Sequence, residues 1–312
     1  MLFAAFGCAG AMAQTYPAKP LRFIVPFAPG GGTDIVARLL GIKLHEAMGQ
    51  PVIIDNRGGA GSTLGTDLAA KSPPDGHTIV LNNIGLAFNA TLYTKLPYDT
   101  VRDLAPISLV ATQPNIVVVH PSLPVRSVKE LLALARARPG HISYASAGTG
   151  SGAHLATELF KLSAKVDLLH IPYKGTGPAL TELMGGQVQM MIATMASTLP
   201  HAKGGKLRAL AVTGTRRSPA APAIATLAEA GVPGYEFNTW YGLLAPGGTP
   251  RAIIDRLHAE VVKIVAMPDI RDKFASQGLD TITSTPDEFA TFIKAEIEKW
   301  GKVVKATGAR GE

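Results

Sequence analysis

Two glycine-rich turns hold the residues with the clearest chemical potential. The first, Phe27-Ala28-Pro29-Gly30-Gly31-Gly32-Thr33-Asp34, follows the apolar run Phe23-Ile24-Val25. From Ile35 the apolar residues Val36, Leu40, Leu44, Ala47 and Met48 recur at helical spacing until Gly49-Gln50-Pro51. A strand, a glycine turn and a helix start in that order leave first-turn N–H groups unpaired at the positive end of the helix dipole. The glycines let backbone approach a ligand closely, and Thr33 or Asp34 is placed to cap the helix. Such a turn is a seat for an anion such as a carboxylate; a tight connection without a ligand looks the same. The second turn, Ser146-Ala147-Gly148-Thr149-Gly150-Ser151, repeats the logic after the strand Ile142–Ala145 and before a helix that contains His154. Its hydroxyls and helix N–H groups can hold a carboxylate without a buried lysine.

Other chemistries find less support. The chain has no GxxxxGK[ST], HExxH or GxSxG motif, and its eight histidines are dispersed without metal-like spacing. No metal or cofactor is expected. Gly148-x-Gly150-x-x-Ala153 matches one form of the dinucleotide fingerprint, with Asp167 at a plausible distance. However, Asp167 precedes the next strand, Leu168–Ile171, instead of ending it, and the fingerprint is missing from the first βαβ unit. Asp34 or His154 as a general base stays open, which would make the protein an enzyme acting on a carboxylate. Binding without catalysis needs fewer assumptions, with Asp34 as a cap or as a partner for a ligand amine.

Alternating elements must position these turns. Val52–Ile54 reads as a second strand, Asn56–Ser62 as another glycine turn, Leu64–Lys71 as a helix and Thr78–Leu81 as a third strand leading to Asn83. This strand–helix alternation predicts an α/β fold with a parallel sheet, whose ligands sit beyond the C-terminal strand ends. The run Ile107–His120 is broken at Gln113-Pro114-Asn115, which suggests a strand leaving one sheet for another. A second alternation follows, with Tyr173-Lys174-Gly175-Thr176-Gly177 as a further turn near the cleft and Thr194 after the strand 188–193. Trp240 and Tyr241 are candidates to cover a ligand body or to fill the core. The helix opened by Pro286-Asp287-Glu288 should pack back on the first domain. The expected organisation is a two-domain binding protein with a hinge of crossing strands. Its first domain takes residues 14–114 and 239–312, and its second takes 115–238.

Composition bounds the class. Of 312 residues, 46% are hydrophobic and 17% charged, enough to bury a large core. Residues 1–13 read as an apolar leader ending at Ala11-Met12-Ala13, so the protein is expected to be exported and cleaved there. The single cysteine, Cys8, falls inside that leader, leaving no disulfide chemistry. The formal charge of +7 is scattered without basic runs, which argues against nucleic-acid binding and modestly favours anionic small molecules. A monomer is expected.

Several blocks together resemble the Bug-type solute-binding receptors of tripartite tricarboxylate transporters. They are Pro26–Asp34, Asp55-Asn56-Arg57-Gly58-Gly59-Ala60-Gly61, Leu96-Pro97-Tyr98-Asp99, Ser146–Ser151 with His154, His170-Ile171-Pro172-Tyr173-Lys174-Gly175 and Gly205–Thr213. The resemblance implies a periplasmic receptor of two α/β domains that closes on a small carboxylate and delivers it to membrane permease subunits. It points to Phe27–Asp34 and Ser146–Ser151 as the ligand loops, assisted by ordered water. Family ligands include di- and tricarboxylates, acidic amino acids, nicotinate-like rings and aromatic acids. Two positions depart from the pattern. Ala193-Thr194 stands where the family shows Asp-Asn, which disfavours a ligand amine, and Gly58 stands where proline is common, which should loosen that turn. A ligand sensor for a signalling partner is the remaining alternative.

Overall fold

The computed structural model describes residues 16–311; the leader and Cys8 lie outside them. The chain runs β1 (Leu21–Val25), α1 (Gly32–Met48), β2 (Val52–Asn56), α2 (Thr63–Ala70), β3 (Thr78–Asn83) and α3 (Gly85–Leu92) into one long strand, β4 (Leu104–Val119). Then come α4 (Val128–Ala137), β5 (Ser143–Ser146), α5 (Gly152–Ala164), β6 (Leu169–Pro172), α6 (Thr176–Met184), β7 (Met190–Thr194), α7 (Met195–Lys203) and β8 (Arg208–Val212). The return is β9 (Asn238–Pro246), α8 (Arg251–Ala266), α9 (Pro268–Ser276), β10 (Asp280–Thr281) and α10 (Pro286–Thr307).

Strand pairing divides the molecule into two lobes. β1 lies between β2 and β3 in parallel, β3 pairs antiparallel with β9, and β9 pairs with β4 from Leu104 to Pro114. One residue later β4 changes partners: Asn115–Val119 pair with β7, and Ile116–Val119 pair with β8. Parallel β5 and β6 complete the smaller sheet. The change falls at Pro114 because proline has no N–H to donate to a ladder, so a strand can release one neighbour there. The chain crosses back at Phe237–Asn238, beside the first crossing.

Helix ends follow ordinary chemistry. Gly49 closes α1 in the left-handed region, with its N–H on the His45 carbonyl at 3.0 Å. α10 opens with Pro286 in its first turn and a reciprocal Thr285–Glu288 capping box. It packs on α3 and β4, where Trp300 meets Phe88 edge-on at 5.1 Å between ring centroids. α9 was not read from the sequence. No helix among the described residues is long and apolar enough to cross a membrane.

Candidate functional site

The C-terminal ends of the parallel strands in both lobes face one another across a small closed cavity. Phe27, Gly31, Gly32, Thr33 and Asn83 line it from the larger lobe. Ala147, Ser151, Gly152, Ala153, Thr176 and Thr194 line it from the smaller lobe, and Thr239 lies at the crossing. Four helices, α1, α5, α6 and α7, begin within this lining. Unpaired N–H groups and the positive ends of four dipoles are therefore aimed at one volume. None of the lining side chains is charged. The space measures about 20 Å³, room for roughly a water or two, so the lobes must part to admit an organic ligand.

The first turn is held open by Asp34, but not as a cap. Gly31 is the α1 N-cap and has no side chain to make a cap bond, while Thr33 and Asp34 already lie inside the helix that starts at Gly32. Asp34 instead reaches back: its Oδ2 accepts the Gly30 N–H and Arg38 Nε, each at 3.0 Å, and its Oδ1 accepts Asn56 Nδ2 at 2.9 Å. Burial pushes the carboxyl pKa up, and the bonds from Arg38, Gly30 and Asn56 outweigh it, leaving the group below its ordinary value. All its capacity serves the loop, and it does not line the cavity. Asn83 donates to Thr33 Oγ1 at 3.0 Å and accepts the Gly85 N–H, which fixes the hydroxyl of Thr33.

The second turn is pinned from beneath by two histidines. His154 Nδ1 accepts the Gly150 N–H at 3.2 Å, and His170 Nε2 lies 2.6 Å from Ser146 Oγ. The Gly148 N–H donates to the same Ser146 oxygen at 3.1 Å. Burial drives both imidazole pKa values down, His154 to about 4 and His170 to about 3, with Lys161 adding to the effect in each and His154 to that of His170. Ser151 caps α5 by accepting the His154 N–H. Ser146 and His154 thus shape the turn and do not enter the lining.

Ala28, Pro29, Gly30, Gly148, Thr149 and Gly150 form the rim, where the lobes touch. The Ala28 N–H donates to the Lys174 carbonyl at 3.2 Å, and Tyr93 Oη donates to the Thr149 carbonyl at 3.0 Å. Gly58 belongs to this contact. A Cβ there would lie 2.6 Å from both the Lys174 oxygen across the cleft and the Ala28 nitrogen of its own lobe, so its glycine permits close approach where a looser turn was expected. Tyr173 is half-buried against the outside of the smaller lobe's core, and its backbone N–H donates to the Ser146 carbonyl. Neither Trp240 nor Tyr241 covers the cavity. Trp240 packs edge-on against Phe289 and Phe292, on the far side of β9. Tyr241 is fully buried under Gly32, where its hydroxyl accepts from Gln113 Nε2; Gln113 Oε1 in turn accepts the Ala196 N–H of α7.

Thr239, Gly152 and Ala153 were missed, and Thr176 was read only as part of a turn near the cleft and not as a ligand residue. Thr176 had a signal, since Lys174-Gly175-Thr176 repeats the turn-then-hydroxyl pattern of the other two seats. Thr239 had none; it lies beside the cavity because β9 crosses there, with its Oγ1 donating to Asn115 Oδ1 at 2.8 Å. Asn115 Nδ2, buried at the crossing, has no protein partner and is available to a water. Among the described residues no group of three His, Cys, Asp or Glu could hold a metal.

Comparison with known proteins extends over nearly the whole chain. Residues 36–309 match the tripartite tricarboxylate transporter family receptor. The chain belongs to that family. It is 42% identical to protein BugT of Bordetella pertussis over 300 residues, 96% of this chain and 92% of BugT. The structure of R. palustris Rpa4515 with adipate is similar at a TM-score of 0.92, with 36% identity, covering 95% of this chain and 99% of that one. MatC from Rhodopseudomonas palustris, with bound malate, is similar at 0.89, with 33% identity over 93% of this chain and 100% of MatC. The two-lobed α/β fold is that of the tripartite tricarboxylate transporter receptors, and the resemblance drawn from the sequence blocks holds.

Proposed function

We propose that this receptor captures a small organic carboxylate between its lobes, in the periplasm, and hands it unchanged to the permease subunits of a tripartite tricarboxylate transporter. The observation that carries the ligand class is the meeting of four helix N-termini and a set of hydroxyls on one uncharged cavity. Such a lining favours an anion that accepts several hydrogen bonds at once, and preorganised N–H groups supply that without a buried cation. The adipate and malate of the similar structures are acids of this kind. Binding without turnover agrees with a lining that holds no titratable side chain. Asp34 and His154, the candidate bases, are occupied in supporting the turns. Cleavage after Ala13, action as a monomer and division of the moving parts at 114/115 and 238/239 belong to the same reading.

A thermal-shift screen of the purified chain, unfolded and refolded to strip carried-over ligand, tests it. The panel takes succinate, malate, adipate, a tricarboxylate, benzoate, nicotinate, aspartate and glutamate. An acid at about 100 times its dissociation constant adds roughly 2.7 kcal/mol, a visible rise in Tm. A rise with one acid class is the expected result. A flat response to every acid would overturn the carboxylate reading.

A further inference from the structure

The geometry points to Gly177 as a determinant of ligand affinity that never touches the ligand: its missing side chain lets the lobes shut. The inference rests on the receptor reading above. Gly177 is the second residue of α6, in the smaller lobe. Its backbone is not among the left-handed glycines, so its own lobe does not require a glycine there. Glycine is also a poor helix former, so the position carries a cost that α6 alone does not repay.

The reason lies across the cleft. A Cβ at 177 would overlap the Pro29 carbonyl oxygen, and the next nearest atoms are the Pro29 carbonyl carbon at 3.2 Å and the Gly30 Cα at 3.5 Å. All three belong to the other lobe, and all are backbone that cannot swing aside. Beside this contact Gly175 makes the same approach, its Cβ position lying 2.8 Å from the Ala28 nitrogen. The seat it allows is tight enough that a Cβ on Gly31 would lie 3.2 Å from the Thr176 Cβ. A methyl group at 177 therefore props the α6 turn away from Pro29. Thr176 and the first N–H groups of α6 then stop short of the ligand, and water enters the gap. Affinity falls because the closed population falls. The rim glycines Gly61 and Gly150 make comparable approaches, but their left-handed backbones would confuse a substitution with local strain.

Gly177→Ala separates closure from folding. The test measures Tm without ligand, Kd and dissociation rate for adipate and malate by calorimetry and stopped flow, and ligand-induced compaction by small-angle X-ray scattering. The control is Gly185→Ala at the far end of α6, where a Cβ meets only that helix's own carbonyls, at 3.4 and 3.6 Å. The expected Gly177→Ala protein has an unliganded Tm equal to or above that of the wild type, about tenfold or greater loss of affinity through faster dissociation, and reduced compaction. The control should bind like the wild type. Wild-type affinity and full compaction in Gly177→Ala would overturn the role of Gly177 and leave the receptor reading standing. A wild-type chain that neither binds nor compacts with adipate, malate or any other acid of the thermal-shift panel would overturn both.

Discussion

The imidazole of His154 stacks on that of His170 with 4.3 Å between ring centroids, and His170 stacks in turn on Tyr144 at 4.8 Å. The outermost ring, Tyr144, donates to Glu158 at 2.6 Å, and Lys161 pairs with the same carboxylate at 3.0 Å. This column, half-buried at His170 and buried at its two ends, carries the turn 146–151 on its near side, with His154 accepting an N–H from it. A proton on His154 Nδ1 would abolish that acceptor.

Acid should therefore loosen the second turn. Both histidines titrate below their ordinary value when folded, to about 4 and about 3, so between there and pH 6.5 the unfolded chain binds protons that the folded chain refuses. The stability they contribute is complete above pH 6.5 and falls as the pH drops through that window. The slope is at most about 1.4 kcal/mol per pH unit for each ring. Melting curves from pH 7.5 to 4.5 should show a falling Tm, and His170→Phe should show a shallower fall. Equal slopes in the two proteins would dismiss His170 as one of its sources.

A side chain at Gly31 should abolish binding and spare the fold. The position is extended, and its Cβ would point at Thr176. Gly31→Val fills the cavity and replaces a tolerated N-cap by a poor one, for about 1 kcal/mol and a Tm drop of roughly 2–4 °C. Titration calorimetry should detect no binding of the acid taken up by the wild type. Retained affinity would remove the first turn from the site.

Asp34→Asn should weaken every ligand alike. The substitution leaves one of the Gly30, Arg38 and Asn56 donors without its acceptor, at a cost of about 1–3 kcal/mol. Comparing amino and non-amino acids decides the role. Were Asp34 a partner for a ligand amine, only the amino acids would lose affinity.

Aspartate should bind far more weakly than succinate. No carboxylate lines the cavity, so an ammonium would be buried without a counter-charge. A discrimination of about a hundredfold or more is expected by competition calorimetry. Tighter binding of aspartate or glutamate would contradict this.

The legible parts of the molecule were those where glycine or proline interrupts an apolar rhythm. The β1–α1 turn, the β5–α5 turn and the partner change of β4 at Pro114 all announce themselves in this way. The direction of side chains did not. Asp34 sits at a position that suits a cap, a base or an amine partner, and only the fold shows that Gly30, Arg38 and Asn56 claim it. Thr239 carries no local pattern, because it reaches the cavity through a strand that starts from the opposite end of the chain. The rim glycines were read as backbone that approaches a ligand, whereas Gly177 is approached by the opposite lobe and Gly58 by both lobes.

The sharing of β4 between two sheets also governs the order in which this protein can assemble. The β1–β3 sheet is completed only by β9, and β4 finds its larger-lobe partners in the same late strand and in the still later β10. Everything between Asn115 and Phe237 can close on itself while the earlier strands still wait for the chain's last quarter. The larger lobe is thus built from contacts of very long sequence separation, a topology that folds slowly. A chain emerging from its N-terminus stays unfinished, and threadable, until almost all of it has been delivered.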